Sequence, residues 1–116
     1  MNIIKTFRRF KANLKLNEAI KQADKAHAAD GKRYYVLPTS GTSGKLIIMD
    51  RSNFRTLKFK HYIDHNAKIK DLERECFYCT PYKDGKGELS KEELDQKRET
   101  YLVWSEFIRK IKKGAK

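Results

Sequence analysis

Ile3, Phe7, Phe10 and Leu14 recur at helical spacing, with Lys5, Arg8, Arg9 and Lys11 set between them. The spacing predicts a basic amphipathic helix over residues 1–16. A second helical pattern opens at Asn17, a residue suited to an N-cap, and stops at Gly31, just after Asp30. Its apolar positions, Ala19, Ile20, Ala23 and Ala26, are small and form one narrow face able to approach a neighbour closely. His27 lies beside that face and reads as solvated. Two β-prone runs follow, Tyr34 to Leu37 ending at Pro38, and Lys45 to Met49. The Thr-Ser-Gly-Thr-Ser-Gly segment between them has hairpin-loop chemistry, so the runs should pair antiparallel.

Asp50 or Ser52 caps a third predicted helix carrying Phe54, Leu57 and His61, and a fourth runs from about Asp71 through Phe77, with Leu72, Cys76 and Cys79 near one side. The last helix has the clearest start, because Ser90 and Glu93 have capping-box spacing. Leu94, Tyr101, Trp104, Ile108 and Ile111 then form one helical stripe, in which Tyr101 and Trp104 read as core anchors. Two strands alone are unstable, so helices must cover the hairpin. The expected class is α+β: a β-hairpin covered by several helices. The expected organisation is a basic amphipathic helix over 1–16, a single α+β domain over 17–112 and a basic tail over 113–116.

A chain of 116 residues has room for one core. Its 39% hydrophobic and 11% aromatic content excludes a wholly disordered basic tail. At this size large clefts and complex catalytic machinery are excluded as well. No nucleophile is spaced beside a base, so an enzyme is not expected. Charged residues interrupt every apolar run, so no transmembrane segment is expected, and charges near the start disfavour an export signal. Cys76 and Cys79 cannot build the disulfide framework of a secreted mini-domain, and a reducing cytoplasm is the expected location.

Thr39-Ser40-Gly41-Thr42-Ser43-Gly44-Lys45 resembles the phosphate-binding loop of adenylate-forming enzymes, whose hydroxyls and amides hold nucleotide phosphates. The likeness covers those residues alone, and Gly, Ser and Thr are also ordinary turn residues. His61, His65, Cys76 and Cys79 resemble, in their order, the His-His-Cys-Cys zinc domain of retroviral integrases, and the four would suffice for a tetrahedral zinc site. Here only ten residues separate the two pairs. Packed thiols and solvated histidines are the simpler expectation, with no metal or other cofactor. A redox role for the two cysteines is disfavoured by their place toward a helix C-terminus, where the field opposes a thiolate.

Residues 82–93 resemble an EF-hand loop, with Asp84, Gly87, Leu89, Ser90 and Glu93 at matching positions. Tyr82 and Lys86 stand where acidic ligands belong, so the resemblance implies a degenerate helix-loop-helix near the C-terminus and not a calcium site. The runs Gly-Lys-Arg-Tyr-Tyr-Val, Gly-Lys-Leu-Ile-Ile-Met-Asp-Arg and Glu-Cys-Phe-Tyr-Cys-Thr-Pro-Tyr resemble a family of small bacterial proteins with no assigned activity. That resemblance implies no function.

Charge supplies the functional expectation. Of a net +12, residues 1–16 carry +5, residues 32–62 carry +6 and residues 101–116 carry +4, while each segment between them carries −1. Blocks of this kind favour polyanions. The leading expectation is a small nucleic-acid-binding protein acting mainly through phosphate contacts, with Arg51, Arg55, Lys58 and Lys60 on the third helix and Lys32, Arg33 and Lys45 beside the strands. The alternative is an adaptor that docks a protein partner through its N- or C-terminal helix.

Overall fold

The computed structural model describes residues 3–39 and 42–114. These form four helices and a three-stranded antiparallel sheet, an α+β fold. Helix α1 spans Ile3–Asp30, β1 Tyr35–Pro38, β2 Leu46–Met49, α2 Arg51–Phe59, α3 Ile69–Glu75, β3 Tyr78–Cys79 and α4 Lys91–Gly114.

One helix runs through the expected boundary between residues 16 and 17. Nothing there breaks it: the sequence from Ile3 to Asp30 holds no Gly or Pro and is rich in Ala and Lys, both good helix formers. Asn17 therefore sits inside α1 and not at a cap, and its side-chain oxygen accepts from Arg98 Nη2 at 2.8 Å. Gly31 does stop the helix, with φ +75° and its N–H donated to the His27 carbonyl at 2.6 Å. At about 1.5 Å per residue α1 is roughly 42 Å long, close to the molecule's longest extent of 43 Å.

The expected hairpin forms, with Tyr35 opposite Met49 and Pro38 opposite Leu46. A third strand, not expected, pairs on the other side of β1, with Tyr35 opposite Cys79 and Val36 opposite Tyr78. β1 is the central strand of the sheet, and alternation sends its side chains to both faces. Val36 faces one core with Ala12, Leu16, Ala19, Ala23, Phe77, Tyr101 and Leu102 from α1, α4 and the sheet. Tyr35 faces the other with Met49, Phe54, Leu72, Cys76 and Cys79, under α2 and α3. Helices thus cover both faces of a narrow sheet. The ring of Phe77 meets Tyr101 edge-on at 5.2 Å and Trp104 at 5.4 Å, so the predicted aromatic anchors of α4 do pack in the core.

The loop after β3 is entered from a strand, with α3 already ended at Glu75, and is left into α4. Ser90 Oγ accepts from Glu93 N while Glu93 Oε1 accepts from Ser90 N, each at 3.1 Å, the reciprocal cap read from the sequence. The segment 113–116, expected as a tail, begins inside α4, which continues to Gly114; residues 115–116 lie outside the described residues.

Candidate anion-binding surface and buried thiol site

Antiparallel packing of α1 against α4 brings the first and last basic blocks together. Arg9 donates to Glu99 at 3.1 Å, Arg8 lies 3.9 Å from Glu106, and Arg98 donates to Asn13 and Asn17. Beyond the sheet the two helices flank a cleft of about 230 Å³ lined by Arg8, Arg9, Lys11, Lys15, Arg109 and Lys112, with Glu106 the one carboxylate among the lining residues. Glu106 is held between Arg109, at 2.9 Å, and Arg8, and these contacts keep its carboxyl below the usual range. Ser43 and Gly44 of the hairpin loop also line this cleft. The loop itself is closed by its own hydroxyls: Thr39 Oγ1 donates to the Lys45 carbonyl at 3.0 Å and shares a hydrogen bond with Ser43 Oγ. Ser40 and Gly41, central to the phosphate-loop likeness, lie outside the described residues.

The basic residues singled out in the sequence are split. Lys32, Arg51 and Arg55 gather with Lys83 around a depression at the start of α2, together with Asp30 and Asp50. Lys32 lies 3.7 Å from the Asp50 carboxylate, and Arg51 stands over the Tyr82 ring. Lys58 lies over the Phe54 ring, Lys60 is the exposed C-cap of α2, and Lys45 flanks α1 near Lys15 and Glu18. Arg33 also borders the depression at the start of α2, but it is only 9% exposed and its guanidinium is bonded inside the fold.

Around Arg33 a second site forms. Its Nη2 donates to Cys79 Sγ and to the Gly87 carbonyl, both at 3.0 Å, while Nη1 lies 3.6 Å from Glu73. The guanidinium stacks over Tyr82 at 4.2 Å. Lys97 reaches in from α4 and donates to the carbonyls of Glu73 at 2.8 Å and Cys76 at 3.0 Å, capping α3 at its C-terminus. Lys97 Nζ is also 3.5 Å from Cys76 Sγ.

The two thiols separate. A hydrogen bond from Cys76, reinforced by Arg33, pulls Cys79 down to about 6, against the opposing effect of burial. The same bond to Cys79, with burial, pushes Cys76 far above the ordinary thiol range. A thiolate is disfavoured at Cys76, as expected, but by its bond to Cys79 and by burial. At Cys79 the hydrogen bond from Cys76 and the guanidinium of Arg33, just before β1, favour the thiolate, against the expectation for this residue. The arrangement sets the Cys79 sulfur against a buried arginine, which favours its thiolate form. Cys79 is 2% exposed, and Arg33, bonded both to its sulfur and to the Gly87 carbonyl, ties the loop after β3 to the sheet.

The zinc candidates do not converge. Cys76 and Cys79 are buried against Arg33 and Lys97, whereas His61 and His65 are exposed in the turn after α2, His65 beside Asp64. Among the described residues no group of three His, Cys, Asp or Glu side chains is placed to hold a metal ion. No described helix is long and apolar enough to cross a membrane. No protein-family model, curated protein or solved structure matches the chain.

Proposed function

We propose that the protein binds nucleic acid through its phosphate backbone and that the cleft between α1 and α4 is the main contact. The observation that carries this reading is the meeting of two basic blocks from opposite ends of the chain, six cations around one carboxylate. Lys32, Arg51 and Arg55 form a secondary surface, weakened by Asp30 and Asp50. Contacts of this kind position a protein without reading bases, so little sequence preference is expected. Two free, buried cysteines suit a reducing compartment such as the cytoplasm. The second reading, an adaptor docking a protein partner, has its own support in the exposed Ile3, Phe7, Phe10 and Leu14 of α1.

Titration of labelled duplex DNA, single-stranded DNA and RNA at two salt concentrations tests the proposal. Affinity should fall steeply with salt as neutralised phosphates release counterions. Replacing Lys15 and Lys112 with alanine should weaken binding about tenfold at low salt and flatten the salt slope by about 2. Replacing Arg55 and Lys58 should have the smaller effect. Absence of binding to all three at low salt overturns the proposal in favour of the adaptor.

A further inference from the structure

Helix α1 has two apolar stripes. At about 100° per residue, the buried Ala12, Leu16, Ala19 and Ala23 lie on one side, and Ile3, Phe7, Phe10 and Leu14 lie on the opposite side, each more than half exposed. Helix α4 repeats the arrangement: Tyr101 and Ile108 are buried, and Val103 and Phe107 on the far side are 63% and 59% exposed. Both helices turn their buried sides toward the sheet layer, so both outer stripes face away from it. The contacts of Arg8 with Glu106 and Arg9 with Glu99 set the stripes at the same height along the molecule.

We infer that this face is the interface of a homodimer, in which the α1–α4 pairs of two copies stack antiparallel into a four-helix bundle. The pattern is complementary to itself. The intervals in α1 are four, three and four residues, the a/d spacing of a helix seam. Reversed about its midpoint the stripe reproduces itself, placing Ile3 opposite Leu14 of the second copy and Phe7 opposite its Phe10. The same two-fold axis crosses α4 near residue 104, within the register set by the α1–α4 contacts, and brings Glu99 of one copy opposite Lys110 of the other.

Area also fits a second copy. Six side chains exposing on the order of 100 Å² each offer roughly 600 Å² of apolar surface per copy, most of the ~800 Å² a partner buries in a stable complex. Most cations that would oppose the pairing lie elsewhere: Arg8, Arg9, Lys15, Arg109 and Lys112 line the cleft on the inner side of the same helices, while Lys11 lies over the Phe7 ring at the edge of the face. Dimerisation therefore leaves both clefts open, and it stands independently of what those clefts bind.

Sedimentation of the full chain between about 5 and 200 µM should show a species of twice 13.7 kDa. Phe10→Glu, on the solvent side of α1, should weaken dimerisation at least tenfold while leaving the circular dichroism and denaturation midpoint of the monomer unchanged. A zero-length carbodiimide cross-link should join Glu99 to Lys110. Within one helix these residues are roughly 16 Å apart, so the bond must connect two copies. A monomer at every concentration, a dimer indifferent to Phe10→Glu, or a dimer lacking that cross-link overturns the inference. A monomer that binds vesicles of phosphatidylserine and phosphatidylcholine, and loses them with Phe10→Glu, assigns the face to a lipid surface instead.

Discussion

Arg33 and Cys79 stand 46 residues apart in sequence and form a buried hydrogen bond. Because the folded state holds Cys79 near 6 and a free thiol titrates near 9, the unfolded chain binds more protons between those values. Stability from this group is complete above about pH 9 and is lost as pH falls through about 6. The denaturation midpoint of the wild type should accordingly drop across that window by more than that of Cys79→Ser, and thiolate absorbance of the folded protein should titrate near 6. A wild type and variant with parallel pH profiles would show that Cys79 is neutral in the fold. The neighbouring loop supplies a steric test. Gly85 and Gly87 both have positive φ, but a Cβ at Gly85 meets nothing, whereas one at Gly87 would lie 2.7 Å from Arg33 Nη1 and 3.0 Å from the Tyr82 ring. Gly85→Ala should cost about 1 kcal/mol, and Gly87→Ala roughly 1–2 kcal/mol more from overpacking, measured by chemical denaturation.

Among the elements, α4 depends most visibly on its first turn. Ser90→Ala removes the acceptor for the Glu93 N–H and should destabilise the fold by about 1 kcal/mol, read as a lower denaturant midpoint with unchanged slope. This cap was legible in the sequence because both partners lie within one turn. The β1–β2 hairpin was legible for the same reason, since its turn residues are local; at α2 the sequence offered Asp50 or Ser52, and the structure uses Asp50, which caps reciprocally with Asn53. Features resting on distant partners were not legible. Asn17 has the chemistry of a cap, yet α1 continues through it and Arg98 takes its side chain. Strand β3 has two residues, too few for an alternating pattern, and exists through its pairing with β1. Arg33 looks like a surface cation beside Lys32; only the fold reveals that Cys79, Gly87 and Tyr82 enclose it. The basic blocks at the two ends were visible as charge, but their convergence required the antiparallel packing of α1 and α4.

At the scale of the molecule, that convergence sets like charges against one another. A net charge of +12 on 116 residues opposes compaction, and the cost concentrates where Arg8, Arg9, Lys11 and Lys15 face Arg109 and Lys112 across one cleft. Glu99 and Glu106 offset only part of it. Screening shortens from about 30 Å at 0.01 M salt to about 8 Å at 0.15 M, so sodium chloride over that range should raise Tm. Replacing Lys15 and Lys112 with alanine should raise Tm at low salt and reduce the further gain from salt, since the repulsion being screened is already smaller. A short polyphosphate should produce a larger rise than chloride at equal ionic strength, because a ligand that binds only the folded state stabilises it by mass action. That excess should shrink in the double variant. If chloride leaves Tm unchanged while polyphosphate raises it equally in both proteins, the α1–α4 end neither strains the fold nor gathers anions, and the charge of the remaining surface must account for the effect.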